Sequence, residues 1–261
     1  MSLVTLETAE GLATVTLRRP DARNALNLEM KHDFIDVLHR VAHDDAIRAV
    51  LLRAVGPAFC VGQDLREHAD ALEHDPATAL STVRVHYNRI VSGIDALDVP
   101  VVVAISGACV GAGLGFALAG DIRVAADDAR FATAFTGIGL ASDSGLAQAI
   151  ARTAGEGVAA EVLLLGEPFG AEQAKTWRLV TRVVAADALD GTATDLARRL
   201  AAGPTQAFAR VKALLRRAHT TELPTMLAWE ADAQEALART ADHRNAVAAF
   251  LDKQRPQFTG R

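Results

Sequence analysis

The sequence predicts an α/β domain with crossover connections, followed by a helical tail. Three observations carry this. Strand and helix patterns alternate to about residue 140. Beyond residue 158 the strand signal fades, except near LVTRVVA at 179–185. The remainder carries helical stretches: DLARRLAAG, QAFARVKALLRRA, TMLAWEADAQEALA and HRNAVAAFLDK.

The elements follow in order. LVTLET and LATVTLRR flank Ala9, Glu10 and Gly11, and Ala13, Val15 and Leu17 alternate with Thr14 and Thr16, which predicts a hairpin. RRPDARNALN is a loop of turn residues. Asn27 is placed to cap a helix in which Met30, Phe34, Val37, Leu38 and Val41 recur at helical spacing. IRAVLLRAV reads as a buried strand and GPAFCVGQDL as a glycine-flanked loop. Asp75 before Pro76 predicts a helix start, running toward Asp95. VPVVVAIS is the next strand, LGFALAG a helix stopped at Gly120-Asp121, and IRVAAD and ARFATAF short strands.

Composition bounds the function. A chain of 261 residues can bury a sizeable core. Its net charge of −5 argues against general nucleic-acid affinity, which needs a basic face. The two cysteines, Cys60 and Cys109, form no metal-binding pattern. The start MSLVTLETAE lacks the order of a signal peptide, so a cytoplasmic protein is expected. Residues 99–120 carry no charge, and their number would permit a membrane span. The β-branched first half and five glycines predict a buried strand, turn and helix instead, and no membrane partner.

Two loops combine a strand end with small residues. ISGACVGAGLGFALAGD runs from strand through glycines into a helix start, where unpaired N–H groups can face an anion. It lacks GxGxxG and the P-loop lysine, so a tight strand–helix crossing without a ligand is equally open. AFCVGQDL repeats the plan, with Cys60 read as a small buried hydrophobe. Two such loops can aim two backbone N–H groups at one oxygen and so stabilise an enolate.

RRPDARNALN, AFCVGQDL, ISGACVGAGLGFALAGDIRVA and the ending AFLDKQRPQF, in that order, resemble the crotonase (enoyl-CoA hydratase/isomerase) superfamily over about Val4 to Phe258. The resemblance implies a spiral of β-β-α units over residues 1–195. It implies a helical region for oligomerisation and CoA capping over 196–261. It also implies acyl-CoA thioester ligands, homotrimers or dimers of trimers, and no cofactor, coenzyme A being part of the substrate. It places the two oxyanion donors on the N–H groups of Val61 and Ala112. Ala22, Arg23 and Ala25 fall where the family lines its CoA site; Gly62, Gln63, Asp64, Gly111 and Phe135 are expected beside the substrate. Phe250 and Lys253 match a C-terminal helix that closes over the CoA nucleotide.

Two departures matter. Where family hydratases carry two glutamates, this chain has Gly115 and Phe135. Water addition needs a base for the water and an acid for the α-carbon, so ordinary hydratase chemistry is in doubt. GIGLASDSG carries one acid, Asp143, where hydratases have glycine. That resembles the isomerase branch, nearest in pattern to phenylacetate-pathway isomerases. Family dehalogenases also use an aspartate near this point, as a nucleophile. One carboxylate can take a proton from one carbon and return it to another. Asp143 can equally cap the helix SGLAQAIAR, which would leave an acyl-CoA-binding protein without turnover. A hydratase with a group near Glu67 replacing the lost glutamates is a further alternative.

The remaining candidates read as structural. The eight histidines, including the pair His39 and His43, are expected at the surface. Glu67, His68 and Asp70 read as an exposed helix face, and Arg216 and Arg217 as solvated.

Overall fold

The computed structural model describes residues 2–261. The expected hairpin forms from β1 (Val4–Ala9) and β2 (Leu12–Leu17), paired antiparallel with Leu6 opposite Val15. Helix α1 (Leu28–Ala42) starts as expected: the Asn27 side chain accepts from the Met30 N–H at 3.0 Å. It crosses over to β3 (Ala49–Ala54), which runs parallel to β2. The segment expected as a plain loop contains a short strand, β4 (Ala58–Cys60), and its Asp64 caps α2 (Leu65–His74).

No helix starts at Asp75-Pro76. Asp75 accepts from the Ala77 N–H and the Thr78 hydroxyl and so closes a turn, and helical structure resumes at Ser81. The same carboxylate geometry that caps a helix can also close an Asx turn, and the sequence does not separate the two. A π-helical turn, Val83–Tyr87, leads into α3 (Asn88–Ala96).

The uncharged run 99–120 becomes β5 (Val101–Ile105), β6 (Ala108–Val110) and α4 (Ala112–Ala119). Among the described residues no helix is long and apolar enough to cross a membrane. Then follow β7 (Ile122–Ala126), β8 (Arg130–Ala132), α5 (Leu146–Ala154), α6 (Glu156–Leu165), β9 (Phe169–Gly170), α7 (Ala171–Thr176) and β10 (Arg182–Val184). The pair β9 gives almost no periodicity because it is two residues long.

The strands separate into two sheets, ordered β1-β2-β3-β5-β7-β10 and β4-β6-β8-β9. In β3/β4, β5/β6 and β7/β8 the first member joins the large sheet and the second the small one, and helices follow each pair. This is a β-β-α unit repeated along the chain. Because the chain steps from one sheet to the other inside each unit, the loops after β4 and β6 leave the small sheet side by side, through the parallel β4–β6 pairing.

At its centre the large sheet is covered on both faces, which is why β5 is a continuous apolar run. Val101, Val103 and Ile105 of β5 point into the main core with Phe34, Ile90 and Phe116. Val102 and Ala104 point the other way, against Leu189, Ala193 and Ala197 of α8 (Leu189–Ala201). The expected domain boundary at 195/196 falls inside α8.

Helices α9 (Thr205–Arg217), α10 (Leu223–Leu237) and α11 (Ala241–Leu251) complete the chain. Lys212 of α9 is buried, bonding the Val99 carbonyl at 2.8 Å and Asp121 at 2.6 Å. Arg216 is not solvated as expected: it donates to the carbonyls of Asp95 and Leu97. Arg217 lies over the Trp229 ring at 4.7 Å. Both guanidiniums stay near the surface while their planar heads find partners. Leu223, Leu227, Val247, Phe250 and Leu251 remain exposed on α10 and α11.

Candidate active site

A pocket of about 590 Å³ opens where the loops after β4 and β6 meet. Its walls include Val61, Gly62, Gln63, Asp64, Gly111 and Ala112, with Ala22 and Ala25 on one side and Phe135 and Asp143 on the other. These expected site residues therefore share one cavity. Arg23, Phe250 and Lys253 do not line it. Arg23 is exposed in the left-handed turn that ends Pro20–Ala22, and Phe250 is 80% exposed on α11.

The approach of the two loops depends on glycine. A Cβ on Gly113 would sit 2.8 Å from the Cys60 Cβ, so α4 can lie against β4 only without one. Gly62 has φ +83°, and a Cβ there would be 3.4 Å from the Ala112 nitrogen. Val61 is the first residue past β4, and Ala112 opens α4, whose first N–H groups have no intrahelical acceptor. Cys60 is fully buried, and burial pushes its thiol up to about 12 despite the Gly62 N–H beside it, so it is the inert hydrophobe expected.

Three carboxylates line the pocket: Asp21, Asp64 and Asp143. Asp21 is exposed. Asp64 is committed, accepting from Arg19 at 2.6 Å and from the N–H groups of Arg66 and Glu67. Burial alone would raise its carboxyl, but the Arg19 hydrogen bond and charge and the two backbone N–H groups outweigh burial and hold it low. Asp143 differs. It pairs with no cation among the described residues, and the Ser144 hydroxyl donates to it at 2.8 Å. Burial pushes its carboxyl above the ordinary value, with the Ser144 bond opposing.

The helix-cap role considered for Asp143 is not what forms. The N-cap of α5 is Gly145, with no side-chain bond, and Asp143 contributes only its backbone carbonyl, to the Leu146 N–H. Ser144 at φ +52° and Gly145 at φ +74° turn the chain so that the Asp143 side chain enters the pocket. The backbone at Ser144 also occupies the space a side chain at 115 would need, and Phe135 lines the wall as a phenyl ring.

The α2 face is split. Asp70 is exposed as expected, but His68 lines the pocket and Glu67 accepts from Lys31 and the Leu28 N–H, tying α2 to α1. His86 is buried, not at the surface: its ring meets Thr82 at 3.0 Å and His32 at 3.3 Å. His39 and His43 lie stacked on an exposed face.

Three residues at or beside the site have no individual signal in the sequence, although Arg19 and Asn24 lie within RRPDARNALN. Arg19 lines the pocket and holds both Asp64 and the Ala25 carbonyl. Asn24 is buried and donates to the carbonyls of Val55 and Ala58, which docks the loop on β4. Tyr87 lines the pocket wall; its only cue was that it is the chain's single tyrosine, on an apolar stripe with Val83, Ile90 and Ile94.

The sequence profile of enoyl-CoA hydratases/isomerases matches residues 7–261. The chain belongs to the enoyl-CoA hydratase/isomerase family. A relative named 1,2-epoxyphenylacetyl-CoA isomerase, from Escherichia coli, is 39% identical over 100% of both chains. A Rhodobacter capsulatus relative described as an enoyl-CoA hydratase is 40% identical over 98% of this chain and 97% of its own. A Mycobacterium abscessus crystal structure described as an enoyl-CoA hydratase/isomerase superposes with a TM-score of 0.97 at 49% identity, covering 99% of this chain and 100% of that one. The β-β-α spiral is thus this family's fold, and both hydratases and isomerases are named among the relatives.

Proposed function

We propose that the protein is an acyl-CoA isomerase that shifts a double bond through a thioester enolate, with Asp143 as its single base. The observation that carries this is the carboxylate inventory of the pocket. Asp64 is neutralised by Arg19, Asp21 is exposed, and positions 115 and 135 hold Gly and Phe, so Asp143 is the free half-buried acid.

In this mechanism the N–H groups of Val61 and Ala112 donate to the thioester oxygen of the acyl-CoA. Asp143 removes a proton from the carbon beside the conjugating system. The electron pair moves into the thioester, where the two donors hold the enolate oxygen. The same carboxyl returns the proton two carbons away, which completes the shift with no water added and no change of oxidation state. No redox cofactor is needed for such a step. A carboxyl raised by burial is a better base for a weakly acidic C–H, because its proton affinity approaches the operating range. Relatives named as isomerases, of 1,2-epoxyphenylacetyl-CoA and of a trans-2-decenoyl thioester, support isomerisation as the reaction class.

The test is exchange in deuterated water. Incubation with a 3-enoyl-CoA should yield the 2-enoyl-CoA, read by NMR and mass, with deuterium entering to the extent that the protonated Asp143 exchanges with solvent before it returns the proton, and Asp143→Asn should lower the rate of the shift by about 10²- to 10⁴-fold. Accumulation of a 3-hydroxyacyl-CoA in place of the shifted alkene would identify a hydratase and overturn the proposal.

A further inference from the structure

Phe135 is the aromatic side chain of the loop that carries Asp143, and the backbone holds it from both sides. Before it, the buried Thr133 hydroxyl donates to the Val162 carbonyl at 3.0 Å, which fixes the chain just past β8 against α6. Ala134 then takes φ +59°, a left-handed conformation that strains a residue with a Cβ. After it, the Phe135 carbonyl accepts from the N–H groups of Ile138 and Leu140 at 3.1 and 3.0 Å. Strain of this kind persists only where the surroundings impose it, and here it sets the direction of the next side chain.

That side chain packs partly against the main core and lines the pocket with the rest. Its tip reaches the second glycine loop: a Cβ on Gly111 would lie 3.8 Å from the Phe135 Cζ. Gly111 directly precedes Ala112, so the ring stands beside one of the two N–H groups assigned to the enolate oxygen. Ala134, Phe135, Ile138 and Leu140, all on the pocket wall, offer water no hydrogen-bonding side chain. Asp143 ends this wall. Its side-chain donor is the Ser144 hydroxyl, and Ser144 is buried, so that bond opens no route to bulk water. Once protonated, the carboxyl exchanges its proton with whatever water the pocket admits.

We propose that the Phe135 ring keeps water out of this end of the pocket, so that the proton Asp143 takes from one carbon reaches the second carbon before it exchanges with solvent. This rests on the isomerase assignment above. In the step a C–H bond breaks as the carboxyl O–H forms, and the electron pair passes into the thioester. The O–H then breaks as the new C–H forms, and nothing is oxidised or reduced. Phe135 makes none of these bonds; it acts by filling the space that water would take.

The test counts deuterium per turnover. 3-Hexenoyl-CoA is converted in deuterated water by wild type, Phe135→Leu and Phe135→Ala. The γ-carbon of the first-formed 2-hexenoyl-CoA is read by NMR and mass, before the reverse reaction sets in. Wild type should place protium there in most turnovers, Phe135→Leu in fewer, and Phe135→Ala in a minority. The ratio belongs to each turnover, so a loss of folded protein or of rate, which is all that a structural role would cause, does not move it. Should Phe135→Ala fail to fold, the rise from wild type to Phe135→Leu decides. Deuterium in most wild-type turnovers, or the same content in wild type and variants, overturns the Phe135 proposal and leaves the isomerase assignment standing, because the double bond has shifted. A wild type that shifts no double bond overturns the isomerase assignment and this proposal with it.

Discussion

Gly115 of α4 lies directly against Ser144: a Cβ built on Gly115 would come within 2.6 Å of the Ser144 carbonyl oxygen and would also collide with the Ser144 side chain. The residue before that serine is Asp143. The turn that delivers Asp143 to the pocket therefore uses the volume where a side chain from α4 would otherwise stand. One arrangement excludes the other on steric grounds.

A glutamate placed at position 115 is therefore expected to add no hydratase activity. Gly115→Glu should cost about 1–3 kcal/mol of stability from overpacking, seen as a lowered melting temperature. It should add no hydration of a 2-enoyl-CoA. Appearance of a 3-hydroxyacyl-CoA at an unchanged melting temperature would contradict the exclusion.

The raised Asp143 carboxyl has consequences for both rate and stability. As the proposed base it must be ionised, so kcat/KM should fall on the acid side with an apparent pKa above the ordinary aspartate value of about 4. For stability the sign is opposite. A carboxyl with a higher pKa folded than unfolded favours the fold fully below the unfolded pKa, and that share is lost as pH rises through the folded value. Asp143→Asn should remove this loss, and because Gly145 caps α5 it should not weaken the helix. Denaturant titrations of both proteins at pH 4 and pH 8 should show the variant gaining stability relative to wild type at the higher pH.

Asp64 behaves the other way round. Its lowered carboxyl stabilises the fold above the unfolded pKa, and that share is lost as pH falls through the folded value. Asp64→Ala removes the α2 cap and the Arg19 partner. It should cost about 1–2 kcal/mol at neutral pH and progressively less in acid. Because Leu65, Arg66 and His68 of α2 line the pocket, KM should rise more than kcat falls. Steady-state kinetics beside denaturant melts check both.

The fold was largely legible because burial imposes periodicity. The hairpin shows period two, α1 shows an apolar stripe behind a capping Asn27, and β5 shows a run apolar on both faces because both faces are covered. What misled was local chemistry with two solutions. Asp75-Pro76 has the composition of a helix start and closes a turn. Asp143 has the composition of a cap, yet it leaves that role to a glycine in the left-handed region. His86, expected at the surface, finds Thr82 and His32 in the interior.

By itself the sequence determined the alternation of strands and helices, the two glycine loops, and Gly115, Phe135 and Asp143 as the side-chain types at their positions. Side-chain type and spacing along the chain are enough for each of these. Only the tertiary structure decided that Arg19 neutralises Asp64, that Ser144 fills the space beside Gly115, and that Tyr87 joins the pocket wall. Arg19 and Asp64 are 45 residues apart, and Tyr87 ends a π-helical turn with no compositional signature. Local pattern records what a residue can do, whereas pairing, steric exclusion and solvent access depend on which distant segment arrives beside it.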